Sequence, residues 1–150
     1  MIEGVIIKEL TKNEDDRGYL VEVYRHDELD YQVAMSYLSW TKPGVARGPH
    51  EHTYQSDYFI FPGPGTFRLY LWDRRPLSPT VGEKITLDVG ADNPTVVIVP
   101  PGVVHGYQAI SAEPALSINF PDKLYRGILK KDEVDEIRWE KDPDSPYQIP

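Results

Sequence analysis

The sequence has no cysteine, only two methionines and no long apolar run. The lack of cysteine excludes a disulfide scaffold, a cysteine nucleophile and any thiolate metal site. No apolar stretch approaches the roughly 20 residues that a membrane-spanning helix needs. The first residues also lack the basic and then apolar pattern of a signal peptide. These absences predict a cytoplasmic protein with no membrane partner.

Positive charge is also scarce, because 16 lysines and arginines face 24 acidic residues and give a formal net charge of −8. Binding to the phosphate backbone of nucleic acids requires a positive surface, so a nucleic-acid partner is not expected. A small anionic ligand remains compatible with this charge, since a few local arginines can outweigh the overall field.

Short apolar segments separated by turn residues make up most of the chain, which contains 14 prolines and 11 glycines. β-Branched and aromatic residues, often alternating with polar ones, predict short strands. The predicted strands are 5–7, 19–24, 32–39, 58–61, 67–72, 85–89, 96–99, 103–107 and 115–120. The one predicted helix is short and charged, at 130–137. This pattern predicts an all-β antiparallel sandwich or barrel, in a single domain over residues 1–150.

Three of the four histidines stand at a spacing found in small jelly-roll barrels. Gly44 is followed after five residues by His50 and His52, then by Asp57 and a glycine shortly after. Side chains two apart on a strand share a face, so the two imidazoles are expected to point the same way. This arrangement fits a loose first cupin motif.

The second cupin motif, Pro-x-Gly-x-x-His, is matched by the segment that runs from Pro100 to His105. A single histidine on a strand is more often structural, but three at motif spacing favour a functional pocket. The fourth, His26, lies in a polar run and is expected to be solvated. The two motifs predict a cupin-type double-stranded β-helix, or jelly roll, with a short C-terminal helix.

The residues themselves leave two kinds of chemistry open. An imidazole near neutral pKa can serve as a general base. Alternatively, three nitrogens and one oxygen can hold a divalent transition metal. The residues of that alternative metal site are His50, His52, Asp57 and His105.

Several further motifs, in order along the chain, resemble the dTDP-4-dehydrorhamnose 3,5-epimerase family. The resemblance covers nearly the whole sequence. The matching positions are Asp16-Arg17-Gly18 with Glu22, Gln32, the stretches 44–50, 73–82, 100–107 and 139–143, and the terminal Pro150.

The resemblance implies proton abstraction next to the C4 ketone of a nucleotide-linked 6-deoxyhexose, without a metal or redox cofactor. It also implies a homodimer and a place in the synthesis of a surface polysaccharide. The expected partner is therefore a nucleotide-sugar substrate.

By the same resemblance, His50 is the base, Asp142 is the carboxylate that orients it, and Arg47 faces the developing negative charge. Asp144 is a rival for the carboxylate, because the tail carries one extra residue. The remaining expected substrate-binding residues are Arg17, Glu22, Gln32, His52, Asp57, His105 and Asn119. The first two resemble contacts to the nucleotide end, which in the family often come from the neighbouring subunit.

The chain departs from the family at three positions. Asp57 stands where the family has a lysine beside the enolate oxygen, and Asn119 stands nearest to its general-acid tyrosine. His52 replaces a glutamine or similar residue. The first two departures weaken the case for a double epimerisation and leave two alternatives, a metal-dependent cupin enzyme or a non-catalytic sugar-binding relative. Three tyrosines are candidates for the missing acid: Tyr58, Tyr107 and Tyr125.

Overall fold

The computed structural model describes all 150 residues and contains twelve strands and two single-turn 3-10 helices. The strands are β1 (Ile6–Glu9), β2 (Asn13–Asp15), β3 (Gly18–Leu20), β4 (Tyr37–Thr41), β5 (Ala46–Glu51), β6 (Asp57–Phe61), β7 (Thr66–Asp73), β8 (Lys84–Gly90), β9 (Thr95–Val99), β10 (Val103–Ala109), β11 (Ala115–Asn119) and β12 (Ile137–Arg138). No helix is long and apolar enough to cross a membrane.

Two five-stranded antiparallel sheets form the body of the molecule. The first sheet has the order β1-β9-β6-β11-β4 and the second has the order β12-β5-β10-β7-β8. A separate hairpin pairs β2 with β3. Strands that are neighbours in space are thus mostly distant in sequence, as in a jelly roll, and the predicted all-β class is confirmed.

The alternation of side chains along each strand places the main core between the sheets. On β7, Phe67, Leu69 and Leu71 are fully buried in this core. Tyr70 and Trp72, on the opposite face, pack against the C-terminal tail. Because consecutive strand residues point to opposite faces, the hydrophobic pattern of 67–72 determined both contacts.

The outer face of the first sheet is covered by an irregular segment, which replaces two predicted strands. Only 19–20 of the predicted strand 19–24 is paired, as part of β3, and the strand expected at 32–39 begins at Tyr37. Between them, Val23, Tyr24 and Tyr31 pack onto the outward side chains of β6 and β9. These apolar residues are buried by lying across the sheet instead of adding strands to its edge.

The segment 130–137, predicted to be helical, is not an α-helix. The single-turn helices Ile128–Lys130 and Trp139–Lys141 lie on either side of it. Leu129 and Lys130 adopt left-handed backbone angles, which an α-helix does not permit. The following acidic residues are held by contacts to the loop after β5, described below.

Asp73, the last residue of β7, closes the turn that follows it. Its buried carboxylate accepts hydrogen bonds from Arg75, Ser78 and Thr80 at 2.5–3.1 Å. The guanidinium of Arg75 is the main reason that the pKa of Asp73 is held well below its usual range. The 73–82 motif therefore has a structural role, since a single carboxylate organises the whole turn.

We expect Asp73→Asn to lower the free energy of unfolding at pH 7 by about 2–4 kcal/mol, because it removes a charged acceptor of several buried hydrogen bonds. A carboxylate with a depressed native pKa stabilises the fold above its unfolded pKa, and this contribution is lost as the pH falls below about 4. The difference between wild type and variant should therefore shrink at pH 3. Urea unfolding at pH 7 and at pH 3 measures this difference in the free energy of unfolding.

Asp88→Asn is the matched control, because the exposed Asp88–Arg68 pair lies on the same sheet and should contribute less than about 1 kcal/mol. Equal losses for Asp73→Asn at pH 7 and pH 3 would show that the charge of Asp73 is not responsible.

Candidate active site

A cavity of about 1330 Å³ opens at one end of the two sheets. Its walls come from strands β4, β5 and β10 and from the irregular segment 121–136. Lining side chains include Tyr37, Arg47, His50 and His52. Three of the residues that the sequence motifs singled out, Arg47, His50 and His52, therefore line this cavity.

The pairing of β5 with β10 places His50 directly opposite His105. The centroids of these two rings are 4.5 Å apart, and those of His50 and His52 are 5.4 Å apart. Asp57, the first residue of β6, reaches the same point from the facing sheet. The four predicted side chains thus converge, with their candidate ligand atoms within 4.8 Å of one another.

Gly48 permits this close approach of β5 and β10. A Cβ atom at this position would lie 2.7 Å from the carbonyl oxygen of His105 and 3.0 Å from Nδ1 of His50. Its φ of +78° is also in the left-handed region that favours glycine. A larger residue would push the two histidine-bearing strands apart.

The buried carboxylate of Asp57 is the centre of the cluster. Nε2 of His52 and Nε2 of His105 each lie 3.1 Å from its Oδ2 atom. The side-chain amides of Asn119 and Gln55 donate to its Oδ1 atom at 2.7 and 2.8 Å. Each carboxylate oxygen therefore has its own set of neighbours.

Backbone carbonyls fix the opposite nitrogens of both imidazoles. Nδ1 of His105 lies 3.0 Å from the carbonyl oxygen of Val103, and Nδ1 of His52 contacts that of Asp135. A carbonyl only accepts hydrogen bonds, so each Nδ1 atom carries a hydrogen. Both Nε2 atoms therefore face Oδ2 of Asp57, and a proton or a cation must separate these electron-rich atoms.

The charges of the cluster are mutually dependent. Burial alone would lower the pKa of His52, but the nearby carboxylate of Asp57 and the Asp135 carbonyl raise it to about 9. Burial alone would raise the pKa of Asp57, but the His105 and His52 imidazoles hold it well below its usual range. Asp57 is thus a buried anion that requires positive charge beside it.

His50 has a different environment. Burial, together with the neighbouring imidazoles of His105 and His52, lowers the pKa of His50 well below its usual value. Its Nε2 atom lies 3.9 Å from Oε1 of Glu136, whose other oxygen accepts a 2.6 Å hydrogen bond from Arg138. His50 is therefore a neutral imidazole at neutral pH, with one carboxylate nearby.

The carboxylate beside His50 is thus not the one that sequence reasoning assigned. Asp142 is exposed and accepts a hydrogen bond from the backbone of Asp144, and neither residue has a carboxylate oxygen within 4.0 Å of a ring nitrogen of His50. Strand β12 pairs with β5 and carries Glu136 to the cavity. Glu136 lies in an acidic run whose composition is typical of a solvated surface, so no sequence signal marked it.

Arg47 lines the cavity, whereas Asn119 is buried in the cluster next to it. Nε of Arg47 donates to Oγ1 of Thr41 at 2.8 Å, and its side chain lines the cavity. Asn119 is buried, with its amide oxygen accepting from the backbone of Tyr58 at 3.0 Å. This contact orients the amide so that its hydrogens face the cluster.

Of the seven expected substrate-binding residues, only His52 lines the cavity. Asp57, His105 and Asn119 are buried in the cluster next to it, and the other three lie elsewhere. Arg17 is exposed and pairs with Asp15 at 2.5 Å, and Glu22 pairs with Arg25 at 3.4 Å. Gln32 is exposed in the irregular segment before β4. A single chain therefore does not bring these residues to its own site.

Tyr37 is a cavity residue that the sequence did not reveal. It is the cross-strand partner of Asn119, whose amide donates to the Tyr37 hydroxyl oxygen at 2.9 Å. Of the tyrosines considered from sequence, Tyr107 and Tyr125 line the cavity. The hydroxyl of Tyr58 instead donates to the Val23 carbonyl, on the outer face of the first sheet.

Comparison with known proteins agrees with this geometry. The sequence profile of the dTDP-4-dehydrorhamnose 3,5-epimerases matches residues 1–148. The chain is 42% identical over 127 residues to the probable low-salt glycan biosynthesis epimerase Agl13 of Haloferax volcanii, covering 83% of this chain and 81% of that protein. It is 38% identical over 140 residues to the spore coat polysaccharide biosynthesis protein SpsL of Bacillus subtilis, covering 92% and 89%.

Among solved structures, a dTDP sugar isomerase from Desulfovibrio desulfuricans superposes with a TM-score of 0.86 at 26% identity, covering 98% of this chain and 91% of that one. Fold, motif order and cavity all agree with the sequence match. The chain therefore belongs to the dTDP-4-dehydrorhamnose 3,5-epimerase family.

Proposed function

We propose that the protein epimerises a nucleotide-diphospho-4-keto-6-deoxysugar by removing a proton next to the C4 ketone. The observation that carries this proposal is a neutral, cavity-facing His50 beside Arg47 in a member of this epimerase family. The names of the two relatives support a place in the synthesis of a glycan or coat polysaccharide. We place the reaction in the cytoplasm, where nucleotide-activated sugars are made.

His50 has the properties required of the base. A base must be unprotonated at the working pH and must become stable once it holds the proton. Its lowered pKa supports the first requirement, and the Glu136 carboxylate at 3.9 Å stabilises the imidazolium formed. Glu136 thus takes the role that the resemblance assigned to Asp142.

Arg47 supplies positive charge on the substrate side of the cavity. Its Nε atom is fixed by Thr41, so the rest of the guanidinium can donate to a substrate oxygen. A fixed donor aimed at developing negative charge lowers the barrier to enolate formation.

Tyr37 is the proposed acid that returns a proton to the other face of the sugar. The amide of Asn119 donates to its oxygen, which leaves its own hydrogen free to point into the cavity. Burial and then the charge of Asp57 raise the pKa of Tyr37, so its hydroxyl stays protonated. Tyr37 thus replaces the tyrosine that the family carries near the position of Asn119.

Incubation with dTDP-4-keto-6-deoxyglucose in D2O, followed by NMR, tests the base. We expect deuterium to enter next to the C4 ketone with the wild-type protein and at least about 100-fold more slowly with His50→Ala. The exposed His26 gives the matched control, His26→Ala, which should exchange at the wild-type rate.

Exchange retained in His50→Ala would refute the base assignment. No exchange in wild type, together with saturable binding of the nucleotide sugar, would instead identify a non-catalytic sugar-binding relative.

Tyr37→Phe separates proton removal from inversion. We expect this variant still to incorporate deuterium, because His50 can return it to the face from which the proton came. Inverted product should fall by about 100-fold, since the opposite-face donor is lost. NMR of the sugar couplings measures inversion, and Tyr19→Phe, at an exposed residue outside the cavity, is the control. Inversion at the wild-type rate in Tyr37→Phe would exclude Tyr37 as the acid.

We also propose that the chain forms a homodimer through strand β4. This strand is the outer member of the first sheet, with Leu38 and Trp40 68% and 53% exposed. An unpaired, apolar edge strand readily pairs with another chain. In such a dimer, Arg17 and Glu22 would reach the cavity of the partner, as the family resemblance implies.

Light scattering at micromolar concentration should give twice the 17.2 kDa chain mass for wild type and the single-chain mass for Trp40→Glu. Leu77→Glu, at a residue 98% exposed elsewhere, should remain dimeric. A monomeric wild type would contradict the proposal.

A further inference from the structure

We infer that His52, Asp57 and His105 bind one divalent transition-metal ion in the wall of the cavity, beside His50. The family resemblance implies no metal, so this site distinguishes the chain from its family. The inference rests on the positions of atoms in the cluster, and three separate observations carry it.

The first observation is the spacing of the ligand atoms. Both Nε2 atoms lie 3.1 Å from Oδ2 of Asp57. Ligands that bind an ion at about 2.1 Å, on adjacent corners of an octahedron, are about 3 Å apart. Two of the three separations therefore already match those of a coordination shell, and all the candidate ligand atoms of the cluster lie within 4.8 Å of one another.

The second observation is that two buried polar atoms have no hydrogen-bond partner. These are Oδ2 of Asp57 and Nε2 of His105, on residues that are each only 1% exposed. Although 3.1 Å apart, they are misaligned for a hydrogen bond. Close but misaligned atoms are expected in a coordination shell, because each lone pair points at the ion and not at the neighbouring ligand. A buried group left unsatisfied is otherwise costly.

The third observation is that hydrogen bonds to surrounding groups hold the three candidate ligand side chains in place. Carbonyl oxygens of Val103 and Asp135 hold the Nδ1 hydrogens of the two imidazoles, so both Nε2 atoms face the cluster. Nε2 of His105 has no other partner, and Nε2 of His52 lies 3.3 Å from the amide nitrogen of Gln55. The amides of Asn119 and Gln55 occupy Oδ1 of Asp57 and leave Oδ2 free. Outer contacts of this kind orient the ligands of protein metal sites.

The donor set restricts the ion. Two imidazoles and one carboxylate suit first-row transition ions such as Fe²⁺, Mn²⁺, Co²⁺, Ni²⁺ or Zn²⁺. Ca²⁺ and Mg²⁺ prefer all-oxygen sites and are disfavoured. Three ligands do not complete the coordination shell of such an ion, and of the three only His52 lines the cavity.

His50 remains outside this set, because its Nε2 atom lies near Glu136 while only His52 and His105 approach Oδ2 of Asp57. An ion here would bring positive charge to the place where the family has a lysine, next to the enolate oxygen. This catalytic role rests on the proposed function, whereas binding of the ion does not.

The experiment begins with untagged protein and elemental analysis. We expect close to one equivalent of a first-row transition metal per chain. After removal of the metal with a chelator, titration with Co²⁺ should restore one equivalent of binding, visible as a ligand-field absorption band, and should raise the melting temperature of the apo-protein. Asp57→Asn and His105→Gln should each weaken Co²⁺ binding at least 10-fold, while His26→Ala should bind as wild type does.

The inference would be overturned if wild-type apo-protein showed no absorption band with 100 equivalents of Co²⁺ and no thermal shift with 100 equivalents of either Co²⁺ or Zn²⁺. The thermal shift uses unmutated protein, so misfolding of a variant does not decide the result. Unchanged binding by a folded Asp57→Asn would overturn it as well.

His50→Ala separates this inference from the proposed function. We expect this variant to keep its metal while losing deuterium exchange. Loss of the metal would show that His50 is a ligand and would overturn the three-ligand assignment. Metal binding by a wild type that never exchanges deuterium would leave the site standing and refute the epimerase proposal.

Discussion

The buried carboxylate of Asp57 is the interaction on which the geometry of the cavity depends. It begins β6 in the first sheet, yet the imidazoles nearest to it come from β10 and from the residue that follows β5 in the second. A buried anion is costly unless it is closely paired, so the two sheets are held together at this end of the barrel by a charge requirement. At the other end the sheets meet through ordinary apolar packing, as with Phe67 on β7.

The same requirement explains why the acidic segment before β12 is irregular. The Asp135 carbonyl contacts His52, and its carboxylate accepts from the backbone of Thr53, Tyr54 and Gln55 at 2.8–3.0 Å. Burial tends to raise the pKa of Asp135, and these three amides outweigh it and lower the pKa. Residues 130–137 have moderate helix propensity, but they do not form an α-helix because their tertiary contacts to the cluster stabilise the irregular conformation more strongly.

The sequence predicted those features that depend on local geometry. Alternation along 67–72 predicted which side chains enter the core, and the His50-x-His52 spacing predicted a shared face, because strand periodicity alone decides both. Features that depend on pairing between distant segments were missed. Tyr37 reaches the site only because β4 pairs in register with β11, and Glu136 because β12 adds to β5. Neither the pairing of β4 with β11 nor that of β12 with β5 can be inferred from Tyr37 or Glu136 alone.

The three departures from the family act as one unit. Asp57 needs the imidazoles of His52 and His105, and Asn119 uses its amide to bridge Asp57 and the Tyr37 hydroxyl. A lysine at position 57 alone would place a cation beside two imidazoles and would remove the carboxylate that accepts from the amides of Asn119 and Gln55. A tyrosine at 119 alone would leave Oδ1 of Asp57 with one donor fewer and would displace the hydroxyl that Tyr37 supplies. Changing any one of these residues to its family counterpart therefore disrupts the contacts of the others. The site differs from the family's through a set of mutually dependent residues, and not through the loss of single residues.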